Sequence, residues 1–98
     1  MYVKAFEHVK AGFTEWLLSR GAEVPSPKSE WEVMRFVYNG QTRIIYKNKH
    51  GALSFMHYAD VFLYSYLKEA KIGNIANRLL ADLWEPTDQQ LWDSGVLD

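Results

Sequence analysis

The sequence contains no cysteine, and it has only 3 prolines and 6 glycines among its 98 residues. A chain without cysteine has no disulfide, no thiolate nucleophile and no thiolate metal site, and this absence predicts a reducing compartment. No apolar run approaches the roughly 20 residues that span a membrane. The first residues, 1–7, include charged side chains where a signal peptide would be apolar. We therefore expect a cytoplasmic protein.

Charges of one sign are missing from two stretches, although the formal net charge is only −1. No acidic residue occurs between Val33 and Ala59, and no basic residue follows Arg78. Residues 1–50 carry eight Lys and Arg against five Glu, whereas residues 51–98 carry three basic against seven acidic residues. A basic middle and an acidic end favour a polarised binding protein over one that is basic on all sides.

Apolar residues make up 48% of the chain and aromatic residues 15%, which is enough for one small domain with a thin core. We predict a single domain over 1–98, with its core in about 2–84 and a helical extension over 85–98. Spacings of three and four residues predict a first helix over 2–20. Its buried stripe contains Tyr2, Phe6, Val9, Phe13, Trp16 and Leu17.

The middle of the chain alternates between apolar and polar residues, which is typical of strands. Segments 31–38 and 42–49 flank Asn39-Gly40, a strong hairpin signal, and 52–56 predicts a third strand. Apolar spacing then predicts a helix over 59–71 and another that begins after an Asn74 cap and continues through Trp84. Thr87 and Gln90 have the spacing of a capping box, which predicts a final helical turn. The fold class is α+β: an N-terminal helix, a three-stranded antiparallel meander, and C-terminal helices packed on one sheet face.

The register of the hairpin depends on which faces of the two strands match. A loop of odd length places Met34 and Phe36 beside Ile44 and Tyr46, whereas a strict two-residue loop pairs Arg35 with Ile44. We expect the odd-length loop, because it separates apolar from basic side chains. It also gathers the basic residues on the opposite face, where they form a candidate binding face: Arg35, Arg43, Lys47 and Lys49.

The C-terminal piece mixes acidic residues with Trp84, Leu91 and Trp92, which form a candidate protein interface because tryptophan is enriched at interface hot spots. The alternative is that these side chains close the core, and the thinness of the core favours that alternative narrowly. The basic face could meet phosphates, an acidic protein or only solvent.

The residue pattern supplies no catalytic, cofactor or metal site. No serine stands in a Gly-x-Ser-x-Gly turn, and the glycines are too dispersed for a phosphate-binding loop. His57 and Asp60 stand three residues apart, but two ligands are too few for a metal. We therefore expect no enzymatic activity and no cofactor.

The order of helix, three strands and helix over about 2–71 resembles the topology of double-stranded RNA-binding domains. That family reaches phosphates with lysines at the start of its second helix. The matching stretch 57–61 has no lysine and contains Asp60. We predict instead a non-enzymatic adaptor or inhibitor, of the kind that phages and mobile elements encode, that binds another protein. The alternatives are a nucleic-acid-binding domain that uses the basic hairpin, and a homodimer.

Overall fold

The computed structural model describes residues 3–70 and 73–97, and these form five helices and three strands. Helices α1 (Val3–Glu7) and α2 (Lys10–Ser19) are followed by strands β1 (Glu32–Tyr38), β2 (Gln41–Lys47) and β3 (Leu53–Met56). Helices α3 (Ala59–Ala70), α4 (Asn74–Ala81) and α5 (Asp88–Ser94) complete the described chain. The strands form one antiparallel sheet in the order β1-β2-β3, with helices packed on it. The predicted α+β layout is confirmed.

The N-terminal helix is interrupted once, at His8 and Val9. Their N–H groups donate to carbonyls only three residues back, and α2 then begins at Lys10. The break lets α1 contact α4 while α2 contacts α3. The predicted buried stripe is otherwise confirmed, although Tyr2 lies outside the described residues and Trp16 is only half-buried; the stripe residues in the core are Phe6, Val9, Phe13 and Leu17.

The predicted hairpin register is wrong, because the loop has two residues rather than an odd number. Arg35 pairs with Ile44, and Tyr38 pairs with Gln41 directly across the turn. Asn39 and Gly40 have φ values of 52° and 73°, which is the left-handed backbone that a two-residue hairpin turn requires. The irregularity lies instead at the far end of the hairpin, where the register shifts between Glu32 and Met34.

Because the register differs from the predicted one, the opposite face of β2 points into the core. Met34 and Phe36 now pair with Ile45 and Arg43, and all four side chains are buried. The other face of the hairpin carries Arg35 with the half-buried residues Val37, Thr42, Ile44 and Tyr46.

Aromatic rings fill the space between the helices and the sheet. The ring of Phe13 lies 5.8 Å from that of Phe36, with the planes nearly perpendicular, and 5.6 Å from that of Tyr66 on α3. Helices α2 and α3 approach closely at Gly12, where an added Cβ would lie 2.2 Å from the hydroxyl oxygen of Tyr66. The absence of a side chain at residue 12 therefore makes room for Tyr66.

The C-terminal helices differ from the prediction at two places. Gly73, not Asn74, occupies the N-cap of α4, and no side chain caps that helix. The helix also ends at Ala81, so Trp84 lies beyond it in the segment that leads to Pro86. The residue before a proline avoids helical backbone, which is consistent with a connector here rather than a longer helix.

Candidate protein-interaction surfaces

Arg35, the first member of the candidate basic face, is engaged by a neighbouring carboxylate. Its Nε lies 2.6 Å from Glu32 Oε1, and the two side chains are only 13% and 2% exposed. Glu32 also accepts hydrogen bonds from the Ser29 hydroxyl and the Lys28 N–H. The hydrogen bond from Arg35 holds the pKa of the Glu32 carboxyl below its ordinary value, although burial opposes this shift. The charge of Arg35 is therefore largely neutralised within the chain.

Arg43 lies in the core and is only 2% exposed. Its guanidinium carbon stands 4.6 Å from the centre of the Phe62 ring, a cation–π contact. One terminal nitrogen donates to the His57 carbonyl at 3.1 Å and the other to the Tyr38 carbonyl at 3.4 Å. Burial lowers the pKa of Arg43. A side chain enclosed in this way cannot present its charge to a partner.

Lys47 and Lys49 are the members of the predicted face that remain exposed. Lys47 ends β2 two residues after Ile45, so it belongs to the same side of the strand as Arg43 and opposite Arg35. Lys49 lies in the turn between β2 and β3. The prediction that the four basic residues share one face is therefore wrong, because the two-residue loop places Arg43 beside Phe36 in the core.

The two tryptophans of the C-terminal candidate interface, in contrast to Arg35 and Arg43, are exposed. Trp84 is 92% exposed and Trp92 is 68% exposed, while Leu91 is half-buried against the core. The interpretation that these tryptophans close the core is therefore wrong. The sequence between them contains Glu85 and Asp88 and no basic residue, so the indoles stand on an acidic surface. We call residues 82–93 the acidic segment.

Residues 87–96 are nevertheless attached to the rest of the fold. Thr87 and Gln90 form the predicted capping box, with reciprocal hydrogen bonds of 3.1 and 2.9 Å at the start of α5. Val96 is buried, and its carbonyl accepts a hydrogen bond from Arg20 at the end of α2. The Arg20 guanidinium also stacks over Trp16 at 4.7 Å. Leu91 and Val96 thus attach a segment whose tryptophans face outward.

The described residues offer no metal centre, since no three or more His, Asp or Glu side chains come together within 3–70 and 73–97. His57 is exposed and lies in a left-handed turn, while Asp60 lies in the first turn of α3. In the same ranges, no helix has the length and apolar character needed to cross a membrane.

No family model, curated protein or solved structure matches the chain significantly.

Proposed function

We propose that this protein is a small non-enzymatic binding protein, an adaptor or inhibitor, that binds another protein through the acidic segment. The observation that carries the proposal is the exposure of Trp84 and Trp92, at 92% and 68% of their surface. Indole side chains bury large areas at interfaces and are enriched among the residues that dominate binding energy. Two exposed indoles on one short acidic segment support a binding surface.

The anchoring of the segment supports the same proposal. Leu91 packs against the core, and the Val96 carbonyl is held by Arg20, so the backbone that carries Trp92 is fixed before any partner arrives. A preordered segment loses less conformational entropy on binding than a flexible one. The carboxylates of Glu85 and Asp88 favour a partner whose surface around the tryptophan pockets is basic.

Site-specific photo-crosslinking tests this proposal. A photoreactive amino acid at Trp84 or Trp92 is expected to form a defined crosslink with another protein in an extract of the native cells. The matched control is the same amino acid at Leu18, which is 50% exposed on α2 and lies outside the acidic segment. Trp92→Ala should keep the melting temperature of the native protein, because its indole is exposed. Equal crosslinking at all three positions, or none at either tryptophan, would contradict the proposal.

Titration with oligonucleotides tests the nucleic-acid alternative. Each phosphate contact contributes about −0.9 to the slope of log affinity against log salt on duplex DNA. With Arg43 buried and Arg35 paired to Glu32, the hairpin offers Lys47 and Lys49, which corresponds to a slope of about −1.8. We expect weak binding that is insensitive to Lys47→Ala and Lys49→Ala. Binding with a slope of about −1.8, which Lys47→Ala and Lys49→Ala each flatten by about 0.9, would favour nucleic acid instead.

A further inference from the structure

A groove of about 770 Å³ lies between α1 and α4. Its apolar lining comes from Ala5 on α1 and from Ile75 and Leu79 on α4, and Ile75 remains 44% exposed. Grooves of this size with an apolar lining and a few polar groups are typical of binding sites.

Cations predominate over carboxylates among the charged residues around this groove. Lys4 and Arg78 are exposed beside the apolar lining, and Asp82 is the carboxylate among the lining residues. Within residues 3–70 and 73–97, the one ion pair is that between Glu32 and Arg35, so Lys4 and Arg78 have no ionic partner there. The groove therefore suits an apolar side chain that is accompanied by a carboxylate.

The same chain displays such a group next to the groove. Trp84 follows the groove residue Asp82 by two positions, it is 92% exposed, and Glu85 comes directly after it. With that exposure, the indole does not fill the groove of its own molecule. The groove and a side chain of the kind that suits it thus lie close together on one surface of one chain.

We propose that a second copy of this chain fills the groove, with Trp84 of each copy inserted between α1 and α4 of the other. In a two-fold dimer the same patch is used by both subunits, so that each residue pair occurs twice. Such a dimer covers both indoles and both grooves in one interface, and it brings Glu85 of each copy near Lys4 and Arg78 of the other. A second copy supplies both a side chain that fits the groove and a groove that receives Trp84.

This inference rests on the proposed function, because it names the protein that Trp84 contacts. It leaves Trp92 on α5 available to a different protein, so that a dimer would present two copies of that second surface. Trp84 and Trp92 therefore have separate partners and can be tested separately.

Sedimentation velocity of the purified full chain, from micromolar to near-millimolar concentrations, tests the dimer. We expect a reversible monomer–dimer equilibrium, and Trp84→Ala should raise its dissociation constant by about 30-fold or more, as expected for loss of an interface hot spot. Trp92→Ala is the matched control and should leave the equilibrium unchanged. Unchanged melting temperatures for both variants, measured at a concentration at which the native chain is monomeric, would show that the fold is intact.

A charge exchange tests the orientation of the two copies. Lys4→Glu alone should weaken the dimer, because two carboxylates would then face each other across the interface. Adding Glu85→Lys in the same chain restores the opposite pairing and should recover much of the lost affinity. A point-charge change that acted only on folding would not be rescued in this way.

The two experiments distinguish failure of the dimer from failure of the proposed binding function. A chain that stays monomeric, or a dimer that Trp84→Ala leaves unchanged, would overturn the dimer. If the photoreactive amino acid at Trp84 then captured a different protein, the proposed function would stand and the groove would be assigned to that protein. A dimer that depends on Trp84, combined with no crosslink from Trp92, would support the dimer and contradict the wider binding role of the segment.

Discussion

The β1–β2 hairpin and the acidic segment both look like interaction surfaces in the sequence, but the fold uses them in opposite ways. In the hairpin, Arg43 is enclosed by the core and Arg35 is bound to Glu32. In the acidic segment, the two largest side chains, Trp84 and Trp92, are left exposed. Residue type therefore does not decide which side chains remain available to a partner. What decides it is whether the fold supplies acceptors for the polar groups and a cavity for the apolar ones.

Arg43→Ala should have the largest effect among the variants that test this difference between the hairpin and the acidic segment. The substitution removes a buried side chain from the Phe62 ring and removes the hydrogen bonds that Arg43 donates to the His57 and Tyr38 carbonyls, so we expect the free energy of unfolding to fall by about 3 kcal/mol. Urea denaturation measures this loss. Lys47→Ala, on the same side of the same strand but exposed, should change stability by less than about 0.5 kcal/mol.

Arg43→Met separates packing from hydrogen bonding. Methionine keeps much of the apolar contact with Phe62 but cannot donate to either carbonyl, so its stability should lie between those of the native protein and Arg43→Ala. If all three proteins unfolded at the same urea concentration, Arg43 would not be the core residue described above, and the contrast between the two regions would fail.

Val96→Ala should have the next largest effect, and it tests the buried contact that follows the acidic segment. Removal of two methyl groups from a side chain that is 3% exposed should cost about 2 kcal/mol. Trp92→Ala, four residues earlier and 68% exposed, should cost less than about 0.5 kcal/mol despite its larger side chain. Thermal unfolding of both variants checks the order. A larger loss for Trp92→Ala would mean that the indole closes the core after all.

The smallest expected effect concerns the Glu32–Arg35 pair and its dependence on pH. Because the folded pKa of Glu32 lies below its ordinary value of 4.5, the pair stabilises the fold above that value. This contribution is lost as the pH falls through the folded pKa. Glu32→Gln cannot ionise, so its stability should decline less steeply than that of the native protein between pH 7 and pH 3, as followed by urea denaturation. Parallel declines in the two proteins would show that the carboxylate contributes nothing specific.

Most of the secondary structure could be predicted because its signals are local. The stripe of α3 follows from apolar spacing, and the capping box of α5 follows from Thr87 and Gln90 alone. The hairpin register could not be settled by matching faces, because β2 has isoleucine on both faces, Ile44 on one and Ile45 on the other. The Asn39-Gly40 turn sets the register instead, because the left-handed backbone of a two-residue turn matches the twist of the two strands.

The candidate surfaces were harder to predict because they depend on contacts distant in sequence. The acceptor of Arg43 on His57 is 14 residues away, and the ring that it stacks on belongs to Phe62 on α3. No local sequence pattern indicates that an arginine on a strand will contact both the His57 carbonyl and the Phe62 ring. The groove between α1 and α4 had a faint signal, since Arg78 and Asp82 are spaced four residues apart beside the apolar Leu79, but its other wall lies about 70 residues earlier.

The close approach of Gly12 and Tyr66 constrains the order in which the sequence can change during evolution. An alanine at residue 12 would place its Cβ 2.2 Å from the Tyr66 hydroxyl, whereas the nearest ring carbon is 3.3 Å away. Phenylalanine at residue 66 would remove the hydroxyl and leave only a tight contact. A lineage can therefore lose the tyrosine first and the glycine second, but the reverse order passes through a strained intermediate. The two positions, 54 residues apart, form an epistatic pair, because the side chain at residue 66 determines whether residue 12 can change.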